Sequence, residues 1–169
     1  MSEITTGLMT LADVDAVHAI EVACFKTPWS KESFTHEITG NQCARYMVVR
    51  EDGEPIAYAG VWFILDEGHI TNIAVRPDRR GMGYGELCTR ALIQLAADCG
   101  MSVMTLEVRR SNTVAQNLYH KLGFIDVGFR PKYYENKEDA LIMFLEHLPE
   151  GNPENDPFLV TEEEDSAAE

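Results

Sequence analysis

A glycine-rich turn preceded by two arginines is the segment of this sequence best suited to hold an anion. It reads Arg79-Arg80-Gly81-Met82-Gly83-Tyr84-Gly85. A strand-like run at 69–75 precedes it, and a segment with helical periodicity follows it. Glycine lets a ligand approach the backbone closely, and the first N–H groups of a helix are unpaired donors at the positive end of its dipole. The turn therefore predicts a site for a phosphate-bearing ligand.

Two common nucleotide-binding motifs do not fit this turn. A P-loop requires GxxxxGK[ST], and neither Lys-Ser nor Lys-Thr follows these glycines. A Rossmann turn requires GxGxxG, whereas Gly81, Gly83 and Gly85 are spaced GxGxG. On this segment alone, an ordinary turn between strand and helix, in which glycine only relieves strain, remains open.

Two further side chains could transfer protons, although each has an ordinary alternative. Glu107 interrupts the strand-like run 104–108, where alternation places it opposite the apolar residues. A solvent-facing glutamate bridged to Arg109 is the simple explanation. Farther along the chain, Tyr119 lies on an apolar helical stripe, where most tyrosines belong to the core. The residue types by themselves leave both roles open.

The periodicities place these features in one alternating succession of strands and helices. The predicted order is β-α-α-β-β-β-α-β-α-β-β. Thr10-x-x-Asp13 and Ser30 indicate helix starts, and Asp52-Gly53 indicates a hairpin. This order implies an α/β (α+β) fold, in which helices cover both faces of a mixed sheet. The expected apolar stripes of the last two helices are formed by Leu87, Cys88, Ala91, Leu92 and Leu95 and by Val114, Leu118 and Leu122.

Length and composition fit one cytoplasmic domain. The 169 residues suffice for a single core. No apolar run reaches the roughly 18 residues of a membrane span, and the N-terminus does not resemble a signal peptide. The four cysteines show no CxxC spacing and HExxH is absent, so we expect no metal site and no disulfide framework. Each cysteine is expected to be a small buried hydrophobe in a reducing compartment.

The charge of the chain is strongly negative and unevenly distributed. Its formal net charge is −14, and the segment from Glu150 to Glu169 holds eight acidic residues and no basic ones. We expect a domain at 1–148 and an acidic, largely disordered tail at 149–169. Such a chain is poorly suited to nucleic acid and favours a cationic partner. The tail is read as solubilising, or alternatively as a docking arm anchored by Phe158-Leu159-Val160.

The ordered motifs resemble those of the GNAT superfamily of acetyl-CoA-dependent N-acyltransferases. The glycine turn fits that superfamily's Q/R-x-x-G-x-G/A pyrophosphate loop as Arg80-x-x-Gly83-x-Gly85. Other segments resemble the RimI branch, whose members modify the N-terminal alanine of the eighteenth small-subunit ribosomal protein. These segments are Pro28-Trp29-Ser30, Asn72-Ile73-Ala74-Val75-x-Pro77, Leu106-Glu107-Val108-Arg109-Arg110-Ser111-Asn112, Ala115, Leu118-Tyr119, Leu122-Gly123-Phe124, Tyr133-Tyr134 and Glu138-Asp139-Ala140.

The resemblance covers residues 4–146 and has two departures. Thr27 stands where the branch commonly has Phe before Pro-Trp-Ser, and the acidic tail is absent from the compact family pattern. The implied fold is a mixed, mostly antiparallel sheet of six to seven strands that splays in its middle.

The resemblance also implies roles for individual residues. Glu107 matches the family's general base and Tyr119 its general acid. The cosubstrate acetyl-CoA would be held by the strand backbone at Ile73, Ala74 and Val75, by the turn residues Arg80, Gly81, Met82, Gly83, Tyr84 and Gly85, and by Asn112. The acceptor peptide would contact Trp29, Tyr133 and Tyr134. No metal is implied.

The chemistry of the acceptor amine agrees with an N-terminal substrate. An amine attacks only when neutral, and an α-amino group has a pKa of about 7.7–8.0 against about 10.4 for lysine. The resemblance therefore favours transfer to the N-terminal amine of a basic ribosomal protein, with no membrane and no direct nucleic-acid partner. Transfer to lysine or to a small-molecule amine remains open, as does a non-catalytic acyl-CoA-binding module.

Overall fold

A computed structural model describes residues 2–134 and 137–157, which form one seven-stranded sheet with four α-helices. The observed order of strands and helices confirms the predicted one. In chain order the elements are β1 (Ile4–Leu8), α1 (Val14–Cys24), α2 (Lys31–Thr39), β2 (Ala44–Glu51), β3 (Glu54–Ile64), β4 (Glu67–Val75), α3 (Tyr84–Asp98), β5 (Val103–Arg109), α4 (Thr113–Lys121), β6 (Ile125–Arg130) and β7 (Ala140–Leu145).

Short-range sequence signals set the ends of several elements. The backbone N–H of Thr10 donates to Asp13 Oδ2 at 2.8 Å, although a 3₁₀ turn comes before α1. Ser30 caps α2 by accepting from the N–H of Ser33 at 3.1 Å. Asp52 and Gly53 have φ values of 51° and 87°, as the tight hairpin between β2 and β3 requires.

Two apolar layers lie on opposite faces of the sheet. The layer beneath α3 and α4 contains the alternate β5 residues Met104, Leu106 and Val108. The layer beneath α1 and α2 is centred on Phe34 and Tyr58, whose rings meet edge to face at 5.8 Å. The other β5 side chains, among them Glu107, therefore lie on the α1 and α2 face.

The structure corrects three expectations about burial. Leu87 is 37% exposed because the buried stripe of α3 begins at its neighbour Cys88. Val114 is 81% exposed because the first turn of α4 faces an open cleft rather than the sheet. Only Cys88 is a buried cysteine, whereas Cys43 is exposed and the remaining two, Cys24 and Cys99, are partly exposed.

The sheet opens between β4 and β5, which confirms the predicted splay. These two strands run parallel and pair only from Glu67–His69 to Val103–Thr105. Farther along, the β4 edge at 70–75 that turns toward β5 has no strand partner within the described chain. On the other edge of β4 the register shifts at Gly60, where an added Cβ would lie 2.3 Å from the Tyr46 ring. Backbone groups are thus left accessible in the middle of the sheet.

The first part of the predicted tail lies against the end of α3. The N–H of Asn152 donates to Asp98 Oδ1 at 2.9 Å, and Gln94 Nε2 donates to the Glu150 carbonyl at 3.2 Å. Gly151 packs so closely that a Cβ there would lie 2.0 Å from the Ala97 carbonyl oxygen. Residues 158–169, including the predicted anchor 158–160, lie outside the described residues. Among the helices of the described residues, none combines the length and apolarity of a membrane span.

Candidate active site

A cleft of about 790 Å³ lies at the point where β4 separates from β5. We call it the glycine-turn cleft, because the turn between β4 and α3 forms one end of it. Its walls come from the end of α1, the free half of β4, the start of α3 and the inner side of α4. It is lined by Cys24, Phe25, Ile73, Ala74, Val75, Arg79, Arg80, Gly81, Gly83, Tyr84, Gly85, Glu86, Asn112, Val114, Ala115, Leu118, Tyr119 and Lys121.

The glycine turn has the geometry of an anion-binding helix start. Gly81 and Gly83 have φ values of +76° and +86°, a left-handed conformation that L side chains rarely adopt. Gly83 is also the N-cap residue of α3, so the first N–H groups of that helix point toward the cleft end. Nothing lies within 4 Å of a Cβ added at either glycine, so a ligand can come close to the backbone.

The two arginines before the turn have different partners. Arg79 donates to Glu51 Oε1 at 2.7 Å and to Asp78 Oδ2 at 3.1 Å, so carboxylates already compensate its charge. Arg80 is exposed and its Nη2 lies 3.2 Å from Cys24 Sγ. Arg80 is therefore the turn arginine better placed to pair with a phosphate, as the sequence predicts. The predicted residue Met82 is 60% exposed and its side chain does not line the cleft.

Tyr119 lines the cleft from α4. Its ring belongs to the core, with a centroid 5.8 Å from that of Phe124. Burial raises the pKa of Tyr119 to about 12. The phenol is consequently protonated at neutral pH and can donate a proton or a hydrogen bond to an atom in the cleft.

Asn112 contacts the same cleft at the start of α4. Its Oδ1 accepts from the N–H of Ala115 at 3.1 Å, which makes it the N-cap of that helix. Asn112 is exposed and is one of the residues that line the cleft. Asn112 thus combines a structural role with a position suited to ligand contact.

Glu107 lies on the opposite face of the sheet from Tyr119. Its Oε2 is 3.2 Å from Nε2 of His69, and its Oε1 is 3.5 Å from Nε of Arg130. The hydrogen bond from His69 lowers the pKa of Glu107, the charge of Arg130 acts in the same direction, and together they outweigh the opposing effect of burial. Glu107 is therefore ionised at neutral pH and can accept a proton.

A smaller cavity of about 210 Å³ opens on that same face. We call it the aromatic cavity, after Trp29 and Tyr134. The centroid of the Tyr134 ring lies 4.1 Å from Cζ of the Arg109 guanidinium. Burial raises the pKa of Tyr134 to about 12. Tyr133 packs edge to face on Tyr134 at 5.1 Å and is itself half exposed. The full lining is Glu21, Phe25, Lys26, Thr27, Trp29, Thr71, Asn72, Arg109 and Tyr134.

A buried carboxylate fixes one wall of the aromatic cavity. Glu21 is 3% exposed and accepts from the hydroxyl of Tyr58, from the N–H of Trp29 at 3.1 Å and from Asn72 Nδ2 at 3.5 Å. Burial, reinforced by this carboxylate, raises the pKa of Tyr58. The contacts tie α1 to β3, β4 and the segment before α2. The approach to the cavity is thus held in one arrangement.

The glycine-turn cleft and the aromatic cavity meet at Phe25, which lines both of them. The cleft lies along the free half of β4 and contains Tyr119. The cavity holds Asn72 from the same strand, and Glu107 lies on its side of the sheet. A ligand in the cleft and a ligand in the cavity would approach each other through the opening between β4 and β5. The arrangement suits a transfer reaction between two substrates.

Sequence reasoning missed several residues of this region. Phe25 precedes a recognised motif and carries no signal of its own, because its role depends on where two cavities meet. Glu21 occupies an apolar face of α1, and this unusual placement could have indicated it. Lys121 has a Nζ 2.7 Å from Glu86 Oε1 at the edge of the cleft, a pairing that only the fold creates.

The proteins that this chain resembles in sequence and in structure are acetyltransferases. A model of the Acetyltransferase (GNAT) family matches residues 14–124. A Bacillus subtilis (strain 168) protein, provisionally named a [ribosomal protein bS18]-alanine N-acetyltransferase, is 44% identical over 138 residues, covering 81% of this chain and 91% of that protein. The Escherichia coli (strain K12) protein of that name is 35% identical over 146 residues, covering 83% and 96%. The crystal structure of the ribosomal-protein-S18-alanine N-acetyltransferase from Escherichia coli superposes with a TM-score of 0.79 at 30% identity, covering 94% of this chain and all of that one.

Proposed function

The chain belongs to the acetyltransferase (GNAT) family, and we propose that it transfers the acetyl group of acetyl-CoA to the N-terminal alanine of ribosomal protein bS18. The relatives named for this reaction are aligned over nearly their whole length, 91% and 96% in the two cases above. The two alignments cover 81% and 83% of this chain.

One observation carries the proposal: two sites of different chemistry meet at the opening between β4 and β5. The glycine-turn cleft offers backbone donors and the exposed Arg80, which suit a pyrophosphate. The aromatic cavity offers rings and polar groups, which suit a peptide end. Phe25 contacts both sites, so an acyl group entering from one can reach an amine entering from the other.

In this proposal the glycine-turn cleft holds the donor. The N–H groups at the start of α3 and the side chain of Arg80 bind the pyrophosphate, and the free edge of β4 at 73–75 pairs with the pantetheine arm as an added strand would. Asn112 contributes its side-chain amide at the cleft wall. A β4 N–H directed at the thioester carbonyl would stabilise the negative charge that develops on its oxygen.

The proton transfers are assigned to Glu107 and Tyr119. The neutral α-amine forms a bond to the thioester carbon, and the proton it loses passes to Glu107, directly or through one water. The carbon–sulfur bond then breaks, and Tyr119 donates its proton to the departing thiolate. Solvent returns a proton to Tyr119 and removes one from Glu107, which restores both groups.

The charge states of the two residues at neutral pH are those that the roles require. Glu107 is a carboxylate, as an unperturbed glutamate would also be, and the contact with His69 lowers its pKa further, so it passes an accepted proton readily to water. Tyr119 is a neutral phenol, as an unperturbed tyrosine would also be, and burial raises its pKa to about 12, so its main contribution is a hydrogen bond that stabilises the departing thiolate. The two groups reach the opening from opposite faces of the sheet, so the proton leaves on one side and is supplied on the other.

The aromatic cavity favours a peptide end over a small free amine. Tyr133 packs on the cavity residue Tyr134 and is 50% exposed, so this side of the cavity lies near the surface, where the remainder of a polypeptide has room. A protein that assembles with RNA carries Lys and Arg to neutralise phosphates, and the net charge of −14 on this chain would attract such an acceptor.

The proposal is tested by acetyl transfer to peptides that differ only in their first residue, with free lysine and polyamines as controls. We expect the peptide with the bS18 N-terminus to be the best acceptor, with the acetyl group on its α-amine. Faster transfer to lysine or to a polyamine would overturn the proposal.

A further inference from the structure

A third cavity, of about 420 Å³, lies next to the aromatic cavity and is formed by α2 and the end of β3. We call it the indole–carboxylate cavity, because two tryptophans and two glutamates dominate its lining. The lining residues are Trp29, Glu32, Ser33, His36, Glu37 and Trp62. Of these residues, only Trp29 belongs to the proposed acceptor site.

The indole–carboxylate cavity adjoins the proposed acceptor site in two ways. Trp29 lines both cavities, so they are neighbours on this face of the sheet. Trp62 on β3 is the register partner of His69 on β4, so their side chains lie together on the α1 and α2 face. His69 in turn contacts Glu107 at 3.2 Å. A peptide whose amine lies near Glu107 therefore has its next side chains within reach of this cavity.

The chemistry of the cavity suits a cation. Glu37 is 7% exposed, and its Oε2 accepts from Trp62 Nε1 and from Asn41 Nδ2, both at 3.0 Å. Within the described part of the chain, its Oε1 accepts no hydrogen bond. Glu32 adds an exposed carboxylate at the rim, and neither Lys nor Arg is among the lining residues.

The two indoles add a second, independent preference for the same ligand. Trp29 and Trp62 are both partly exposed and line the cavity together with the carboxylates. A planar guanidinium can stack on an indole face while its N–H groups donate to a carboxylate. A neutral apolar side chain would gain the ring contact but would leave Glu37 with only the neutral donors Trp62 and Asn41 and no opposite charge.

We propose that the indole–carboxylate cavity is a specificity subsite for an arginine side chain that follows the reacting N-terminus within the first few residues of the acceptor. This inference rests on the proposed function and goes beyond it, because it names the feature by which one N-terminus is chosen over another. In this proposal the aromatic cavity binds the N-terminal amine, and the indole–carboxylate cavity binds the side chain of one of the residues that follow it.

The test compares acceptor peptides that carry arginine or citrulline at position 2, 3 or 4. Citrulline has nearly the same shape as arginine but no charge. Because a charged guanidinium gains a cation–π attraction from an indole face that neutral citrulline lacks, we expect arginine to raise kcat/KM by about 10-fold at one of these positions. The advantage should shrink as the salt concentration rises, since the rim carboxylate is exposed.

Variants of residues that line the indole–carboxylate cavity then test whether the preference for arginine arises there. Glu32→Gln, Glu37→Gln and Trp62→Phe should each lower the ratio of kcat/KM between the arginine and citrulline peptides, to about 3 or less in Glu37→Gln. Glu146→Gln, an exposed glutamate outside the cavity, should keep the wild-type ratio. Glu32 is exposed, so its variant keeps the test available if the buried Glu37→Gln does not fold.

The outcomes separate this inference from the proposed function. Wild-type transfer to the α-amine with equal rates for arginine and citrulline overturns the subsite alone. An arginine preference that survives in all three wall variants also overturns it. Failure to acetylate the α-amine of any peptide overturns the proposed function itself.

Discussion

Replacing Tyr119 by phenylalanine removes one hydroxyl from the glycine-turn cleft and leaves the core otherwise intact. The ring is 8% exposed and packs on Phe124, and phenylalanine preserves that contact. We therefore expect the melting temperature to change by no more than about 2–4 °C, the shift produced by roughly 1 kcal/mol in a domain of this size.

The expected loss of activity follows from the hydrogen bond to the leaving thiolate. A hydrogen bond to a charged group contributes about 1.5–3 kcal/mol. At about 1.4 kcal/mol for each factor of ten, Tyr119→Phe should lower kcat about 10- to 150-fold. The effect should not be larger, because a thiol with a pKa of about 8.5 leaves readily even without help.

The assay follows the release of the CoA thiol with a thiol reagent, and calorimetry measures acetyl-CoA binding in parallel. Binding should stay within about threefold of wild type, because the lost interaction forms chiefly as the thiolate departs. In the wild type, kcat should not fall on the alkaline side up to about pH 10, because the pKa of Tyr119 is raised to about 12. A Tyr119→Phe enzyme with at least half the wild-type kcat would refute the assignment of Tyr119 as the acid.

Three other perturbations test separate parts of the account. Glu107→Gln should lower kcat about 10- to 100-fold at pH 7, and raising the pH should restore part of it because more of the acceptor amine is then neutral; a pH–rate profile checks this. Gly83→Ala places a side chain at a φ of +86°, which costs about 1–2 kcal/mol, so the melting temperature should fall; where the turn relaxes to relieve this strain its amides lose their alignment, and acetyl-CoA should bind about 10-fold more weakly by calorimetry. Gly128→Ala, with no positive φ and no atom within 4 Å of the new Cβ, is its control and should do neither. Asp13→Asn breaks the buried pair with Arg50 and should destabilise the fold by about 1–3 kcal/mol in urea unfolding. Burial alone would raise the pKa of Asp13, but the hydrogen bonds from Arg50 and Thr10 lower it overall. The Asp13–Arg50 pair therefore contributes its full stability above the ordinary carboxyl pKa of about 3.9. That contribution is lost as the pH falls through the lowered pKa that Asp13 has in the folded protein. The difference in stability between wild type and Asp13→Asn should therefore narrow in acid.

The sequence predicts the elements of this fold well because its signals are local. Ser30 and the Asp52-Gly53 pair satisfy or bend the backbone within a few residues, and the structure shows them doing so. The alternation of β5 likewise places Glu107 opposite the apolar side chains, as predicted.

The sequence predicts less where the answer depends on distant segments. Val114 has the spacing of a core residue but belongs to a helix turn that overhangs the glycine-turn cleft. His69 on β4 contacts Glu107 on β5, and only the short parallel pairing of these two strands brings the residues together. Phe25 gains its importance from the meeting of two cavities. None of these arrangements leaves a short-range pattern.

The family motif selects Arg80 rather than Arg79 as the phosphate ligand, but nothing local in the sequence explains that choice. Arg79 and Arg80 are adjacent and chemically identical, and the family motif alone favours Arg80. The structure supplies the physical reason, since Glu51 from the edge of β2 already pairs with Arg79. Because the Arg79–Glu51 pair compensates one charge, Arg80 is the turn arginine that can pair with a ligand in the glycine-turn cleft.

The central claim is that an acetyl group passes through the opening between β4 and β5 to an N-terminal amine. Tandem mass spectrometry of unmodified bS18, after incubation with the purified protein and acetyl-CoA, tests it most directly. The account predicts one added acetyl group, located on the α-amine of the N-terminal alanine, and a much slower reaction with the Glu107→Gln protein. Acetyl groups on lysine side chains with a free N-terminus, or none at all, would contradict it.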